Sequence, residues 1–219
     1  MIAPTPFRPD DKAIAALRES VASKMSEKRF RHTAAVESMV ARLAALYCPE
    51  EENALRAAAL LHDITKEYDT DTQLELCRRM GVPTDESDRL AHKTLHARTA
   101  AALIPEAYPD FHHETVISAV RWHTTGRAGM TLCERLLYLA DYIDDSRLFP
   151  DCVRLRALFW GEDVAAMTEE ERRSHLNRIL ITSFDMTIRA LINEGAIVSP
   201  DTIDARNALV MEETRAKRN

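Results

Sequence analysis

Residues 52–66 read ENALRAAALLHDITK. From Glu52 to Leu61 the stretch is built of strong helix formers, with alanine at 54, 57, 58 and 59 and leucine at 55, 60 and 61. It then meets His62 and Asp63. A core helix should not end on an imidazole beside a carboxylate unless both have partners, because burying either one unpaired is costly. Helix neighbours point about 100° apart, so the pair can serve two directions around one metal centre. Taken alone, it also fits a surface aspartate bonded to its neighbour.

Outward from this stretch the helical period continues. The pattern predicts helices over 11–25, capped by Asp10 or Asp11, and over 30–47, with Ser26 capping its approach and Ala35, Met39, Leu43 and Leu46 on one face. Pro49 opens the helix that ends near His62 and Asp63. Asp71 caps a short helix to Met80, closed by Gly81 and Pro83. Helical patterns follow over 85–103, 112–122, 131–143, 151–159, 168–194 and 200–216. AIVS at 196–199 is too short for a strand. Alanine supplies 31 of 219 residues and glycine only 5, against an average glycine share of about 7%. The fold expected is all-α: a single helical domain over 1–219, with a loose N-terminal arm over 1–9 and a helical C-terminal third.

The net charge is -6, which argues against a broad nucleic-acid surface. No apolar run approaches the roughly 20 residues that span a bilayer, and the N-terminus lacks a secretory core. Cys48, Cys77, Cys133 and Cys152 are scattered and form no C-x-x-C, as suits a reducing cytoplasm. Neither a Walker-type phosphate loop nor a G-x-G-x-x-G is present. The helical C-terminal third suits packing within the domain or the contact of a homodimer.

His32, His96, His123 and Asp141 join His62 and Asp63, each at a helix end or on a mostly apolar face. His92 and His96 share a helix face, and either can be the ligand. His123 also fits a helix C-cap. His112 and His113 belong to a helix N-terminal turn, and His175 to the surface. Imidazole and carboxylate without thiolate suit iron, manganese, cobalt or zinc. Six donors exceed the need of one open site, so two metals can share them with Asp63 between.

The ordered set His32, His62-Asp63, Asp141 resembles the H…HD…D signature of HD-superfamily metal phosphohydrolases. LLHDITKE, LHARTAA, AVRWHTTGRAGMT and LYLADYIDDSRLFP resemble the YqeK family, from about Arg29 to Leu155. The resemblance implies an HD-domain helical bundle that hydrolyses diadenosine tetraphosphate symmetrically into two ADP by attack of metal-bound water. It places His32, His62, Asp63 and Asp141 on one metal and His96 and His123 on a second, with two iron ions as the family's preference. It selects His96 over His92. From nearness to these donors in the chain, Lys66 is expected to be catalytic with Asp63, and Arg29, Lys66, Arg127 and Arg147 to bind phosphate. Asp144, Asp145 and Ser146 depart from the family's usual Glu-Pro-Asn, while Arg147 is retained. Two other readings share the residues: an HD phosphohydrolase for another nucleotide, and a non-catalytic nucleotide-binding protein.

Overall fold

Capping decides where most helices begin. Asp10 Oδ1 accepts the Ala13 amide at 2.7 Å and starts α1, Asp11–Ala22. Ser26 starts α2, Glu27–Tyr47, by accepting from the Arg29 amide. A 3-10 turn at Pro49–Glu51 leads into α3, Glu52–Leu61. Asp69, not Asp71, caps α4, Thr70–Arg79; its carboxylate accepts the Thr72 amide at 2.8 Å, while Asp71 lies within the first turn.

The helix expected over 85–103 is broken. A capping box at Asp85 and Asp88 starts a short α5, Glu86–Leu90, and a 3-10 turn at His92–Thr94 separates it from α6, Leu95–Ala107. His113 caps α7, Glu114–Trp122, its Nδ1 accepting the Thr115 amide. Thr131 and Glu134 form the capping box of α8, Leu132–Ile143. Then come α9, Pro150–Trp160; α10, Glu169–Asn193, with a capping box at Thr168 and Glu171; and α11, Pro200–Ala216. This computed structural model describes residues 7, 9–216 and 218, and no strand occurs among them. The arm expected over 1–9 falls largely outside the described residues.

α3 is the axis of the packing. It lies against α1, α2, α7 and α8, and every side chain from Ala57 to Leu61 is buried. Its alanines let four neighbours approach closely. Trimming Leu55 or Leu60 to alanine in such surroundings costs about 2–5 kcal/mol. The buried face of α2 carries Val36, Met39, Val40, Leu43 and Ala44, so the expected stripe is rotated: Ala35 and Leu46 sit at its margin. Glu37 is buried on that face because Arg18 reaches it at 2.6 Å and Arg56 at 3.1 Å.

The C-terminal third packs onto this unit. α10 lies on α9 and α8, and α11 lies on α10. One apolar cluster runs from Ile14 to Leu209. His175 is buried rather than on the surface: α10 turns it toward α9, where Nε2 meets the Phe159 carbonyl at 3.1 Å. Arg135 of α8 donates to Asn177 and to Glu212, both at 2.8 Å. Gly126, at φ 65°, sits so close to Phe184 and Ala205 that an added Cβ would lie 2.7 and 2.9 Å from their atoms.

Candidate metal centre

α3 stops at Leu61, and His62 occupies its C-cap. The His62 Nδ1 faces the Ala59 carbonyl at 2.6 Å, which leaves Nε2 directed away from the helix. The chain then tightens, with the Lys66 amide on the Asp63 carbonyl at 3.0 Å. Asp63 is thereby turned inward, 4% exposed. Its two oxygens face different partners. Oδ2 lies 3.4 Å from His62 Nε2 and 3.8 Å from His32 Nε2. Oδ1 lies 3.3 Å from His96 Nε2 and 3.9 Å from His123 Nε2.

α2 brings His32 and α8 brings Asp141, with His32 Nε2 3.0 Å from Asp141 Oδ1. α6 brings His96, and the C-cap of α7 brings His123; their Nε2 atoms are 3.0 Å apart. His123 is therefore both a cap and a member of the cluster: Nδ1 meets the Val120 carbonyl at 2.7 Å while Nε2 faces inward. Two donor groups are close enough to hold an ion, His32–His62–Asp141 and His62–Asp63–His123. Of the two candidates on one face, His96 joins the cluster, and His92 stays exposed.

The charge states of His96, His123 and Asp63 suit metal binding, while His32 must first give up a proton. Burial, reinforced by Lys66 and His123, holds His96 well below the usual histidine range. Burial and His62 hold His123 down at about 4. Both imidazoles are neutral at pH 7 and offer a lone pair. Burial would raise Asp63, but the field of His62 and His96 outweighs it and keeps the carboxyl well below its usual range. Burial would lower His32, yet Asp141 and Asp144 prevail and raise it to about 9. His62 Nε2 is buried without a hydrogen-bond partner, 3.4 Å from Asp63 Oδ2. An orphaned ring nitrogen among carboxylates fits a divalent cation.

Three expected cations surround this cluster. Arg29 Nη1 lies 2.6 Å from Asp63 Oδ2, and Arg147 Nη2 lies 2.5 Å from Asp141 Oδ1. The Lys66 ammonium sits 3.2 Å from His96 Nε2; burial lowers its pKa against the pull of Asp63 and Asp141. Arg127 is engaged elsewhere. Its guanidinium holds the buried Glu134 at 3.0–3.1 Å, so the expected phosphate contact is not brought to the cluster. Grooves adjoin both ends: about 640 Å³ beside His32, Arg29 and Arg147, and about 220 Å³ beside His96, Lys66 and Tyr68.

The residues that aim the donors are not evident in the sequence. Asp144 is buried, accepts the Ser146 amide at 2.9 Å and sets Oδ2 3.4 Å from His32 Nδ1. A carboxylate behind a ligand histidine fixes its ring and tautomer. The D-x-S turn was its one sequence signal. Thr65 donates to the His96 carbonyl at 3.0 Å, and Gln73 donates to the Thr65 carbonyl at 2.5 Å, which ties the turn at Asp63 to α6. Glu67 accepts from the Ser26 amide and hydroxyl, which ties the same turn to the start of α2.

The sequence pattern that defines the HD domain matches residues 29–145, and that span contains all six donors. The chain belongs to the HD-domain family. Within that family it is similar to proteins named bis(5'-nucleosyl)-tetraphosphatase, symmetrical. It is 31% identical to the one from Halalkalibacterium halodurans, over 86% of this chain and 92% of that protein. It is 30% identical to the one from Bacillus subtilis, over 87% of this chain and 94% of that protein. A crystal structure of a predicted HD superfamily hydrolase involved in NAD metabolism from Clostridium acetobutylicum superposes with a TM-score of 0.78 at 30% identity. It covers 90% of this HD-domain chain and 97% of its own.

Proposed function

We propose that this HD-domain protein hydrolyses diadenosine tetraphosphate at its central anhydride, adding one water to give two ADP. The two-faced carboxylate of Asp63 carries the reading. One oxygen faces His32 and His62, beside which Asp141 stands, and the other faces His96 and His123, so a pair of divalent cations has a ligand set with Asp63 between. Iron is the proposed pair, on the resemblance; manganese, cobalt and zinc suit the same donors. Such cations supply Lewis acidity toward phosphoryl oxygens and make a water acidic near neutral pH.

The chain's own groups do the rest. Arg29 and Arg147 stand at the inner end of the large groove and present forks that match phosphoryl oxygens. Lys66, on the opposite side, places an ammonium where negative charge grows during attack. The leaving ADP is a stable anion and needs no strong acid. A tetraphosphate laid across the cluster has grooves to either side for its halves, which supports cleavage at the centre. The whole of 1–219 acts as one unit in this reading, supported by the apolar cluster that joins α1 to α11. The setting is the cytoplasm, supported by four free cysteines and by the absence of a helix long and apolar enough to cross a membrane among the described residues.

The test is a chromatographic product assay on diadenosine tetraphosphate. The protein is stripped of metal and reloaded separately with iron under reducing conditions, manganese, cobalt and zinc. ADP as sole product supports the proposal. AMP with ATP overturns the position of cleavage, and no turnover with any metal overturns the reading.

A further inference from the structure

We propose that Phe149 forms the base-stacking wall of a nucleoside subsite in the large groove; this rests on the reading above and names where one half of the substrate lies. Phe149 is 69% exposed and Leu148 is 81% exposed. Two bare apolar side chains in a row, outside any helix interior, are a feature to be explained. Both line the groove of about 640 Å³ whose inner end is His32. The same groove is lined by Lys28, Arg29, Arg31 and Arg147, and by no carboxylate.

An adenosine diphosphate has the complementary make-up. Its phosphates would meet Arg29 and Arg147 beside the cluster, and its flat base needs an apolar wall farther out. The backbone favours that use of Phe149. It precedes Pro150 and is held extended at φ -61° and ψ 137°, as a residue before proline must be. The restricted backbone keeps the exposed ring on the groove, where a base can reach its face. A contact with a second copy of the chain is the poorer occupant. An isologous contact would set these four cations against the same four of the second copy, although Asp63, Glu27 and Asp141 already pair with Arg29, Arg31 and Arg147.

The experiment compares the wild type with Phe149→Ala and Phe149→Trp on diadenosine tetraphosphate, and separates KM from kcat. Stacking of a base on an aromatic ring corresponds to a loss of about tenfold on truncation to alanine. The expected result is a KM about tenfold higher for Phe149→Ala, with kcat within about twofold, the pattern of lost uniform binding. Phe149→Trp should match or better the wild type. A wild type that yields ADP while Phe149→Ala keeps its KM overturns the subsite. A lowered sedimentation coefficient with that unchanged KM shows a second copy on Phe149 and overturns it too. If the wild type turns over no diadenosine tetraphosphate, the preceding reading has failed. The subsite is then judged by quenching of the added Phe149→Trp emission on titration with ADP, and unchanged emission overturns it.

Discussion

Replacing Gly126 by alanine should expose the brace that the C-terminal helices place on the His123 loop. Two costs add. The backbone sits at φ 65°, where an L side chain costs about 1–2 kcal/mol. The new methyl would also stand 2.7 Å from Phe184 Cζ, 2.9 Å from Ala205 Cβ and 3.1 Å from Met130 Sδ. Phe184 is fully buried and cannot swing away, so overpacking adds about 1–3 kcal/mol. Gly129 is the internal control: it lies in the same loop at φ 68°, and a Cβ there meets nothing within 4 Å. For a chain of this size each kcal/mol lowers Tm by about 2–4 °C. Gly129→Ala should therefore lose about 2–8 °C and Gly126→Ala about 4–20 °C, by the same conversion. The assay is thermal unfolding followed by circular dichroism, with chelator present so that metal does not shift the transition. Equal losses at the two positions would refute the packing argument.

Asp63→Ala should lose both metal equivalents by elemental analysis and His96→Ala only one. Turnover of Asp63→Ala should drop at least about hundredfold, since second-shell changes alone cost up to that; two retained equivalents would sink the bridging role. Because His32 is raised to about 9 and His123 is lowered to about 4, metal must displace a proton from His32 but none from His123. Affinity should thus climb about tenfold per pH unit up to that value, read by calorimetry in buffers of differing ionisation enthalpy; a flat profile contradicts it. In the metal-free protein the same raised value adds stability below pH 6.5 that is lost as pH rises through about 9. Lys66→Met should lower kcat about 10²–10³-fold with KM little changed, and an unaltered kcat removes Lys66 from the chemistry. Arg127→Ala should cost about 1–3 kcal/mol by urea unfolding, as the buried Glu134 loses its guanidinium partner and keeps only the Thr131 amide and Ser118 hydroxyl, while KM stays within about twofold; a large rise in KM would return Arg127 to the phosphate site.

The all-α fold was legible because composition and period agree from Asp11 to Ala216. The site was legible where its donors interrupt apolar runs, as His62, Asp63 and Asp141 do. What escaped depends on which side of a helix faces inward. Glu37 and His175 carry polar labels that read as surface, and only their partners, Arg18 and Arg56 for one and the Phe159 carbonyl for the other, make burial tolerable. In the sequence Asp144 stands out only as a departure from the family's usual residues; its inward turn, held by the Ser146 amide, shows only in the fold. Arg127 is a different case. Nearness to His123 in the chain suggested the site, but the buried carboxylate of Glu134 claims the guanidinium.

The brace on Gly126 also orders events during synthesis. All six donors have been translated once Asp141 is made. Phe184, Ala205 and Glu212, which press on the His123 loop and on Arg135 of α8, come much later. A nascent chain therefore carries every donor well before it owns the residues that brace the His123 loop and α8. Fragments released after α9 hold the whole ligand inventory but lack the Phe184 and Ala205 contacts at Gly126 and the Glu212 partner of Arg135.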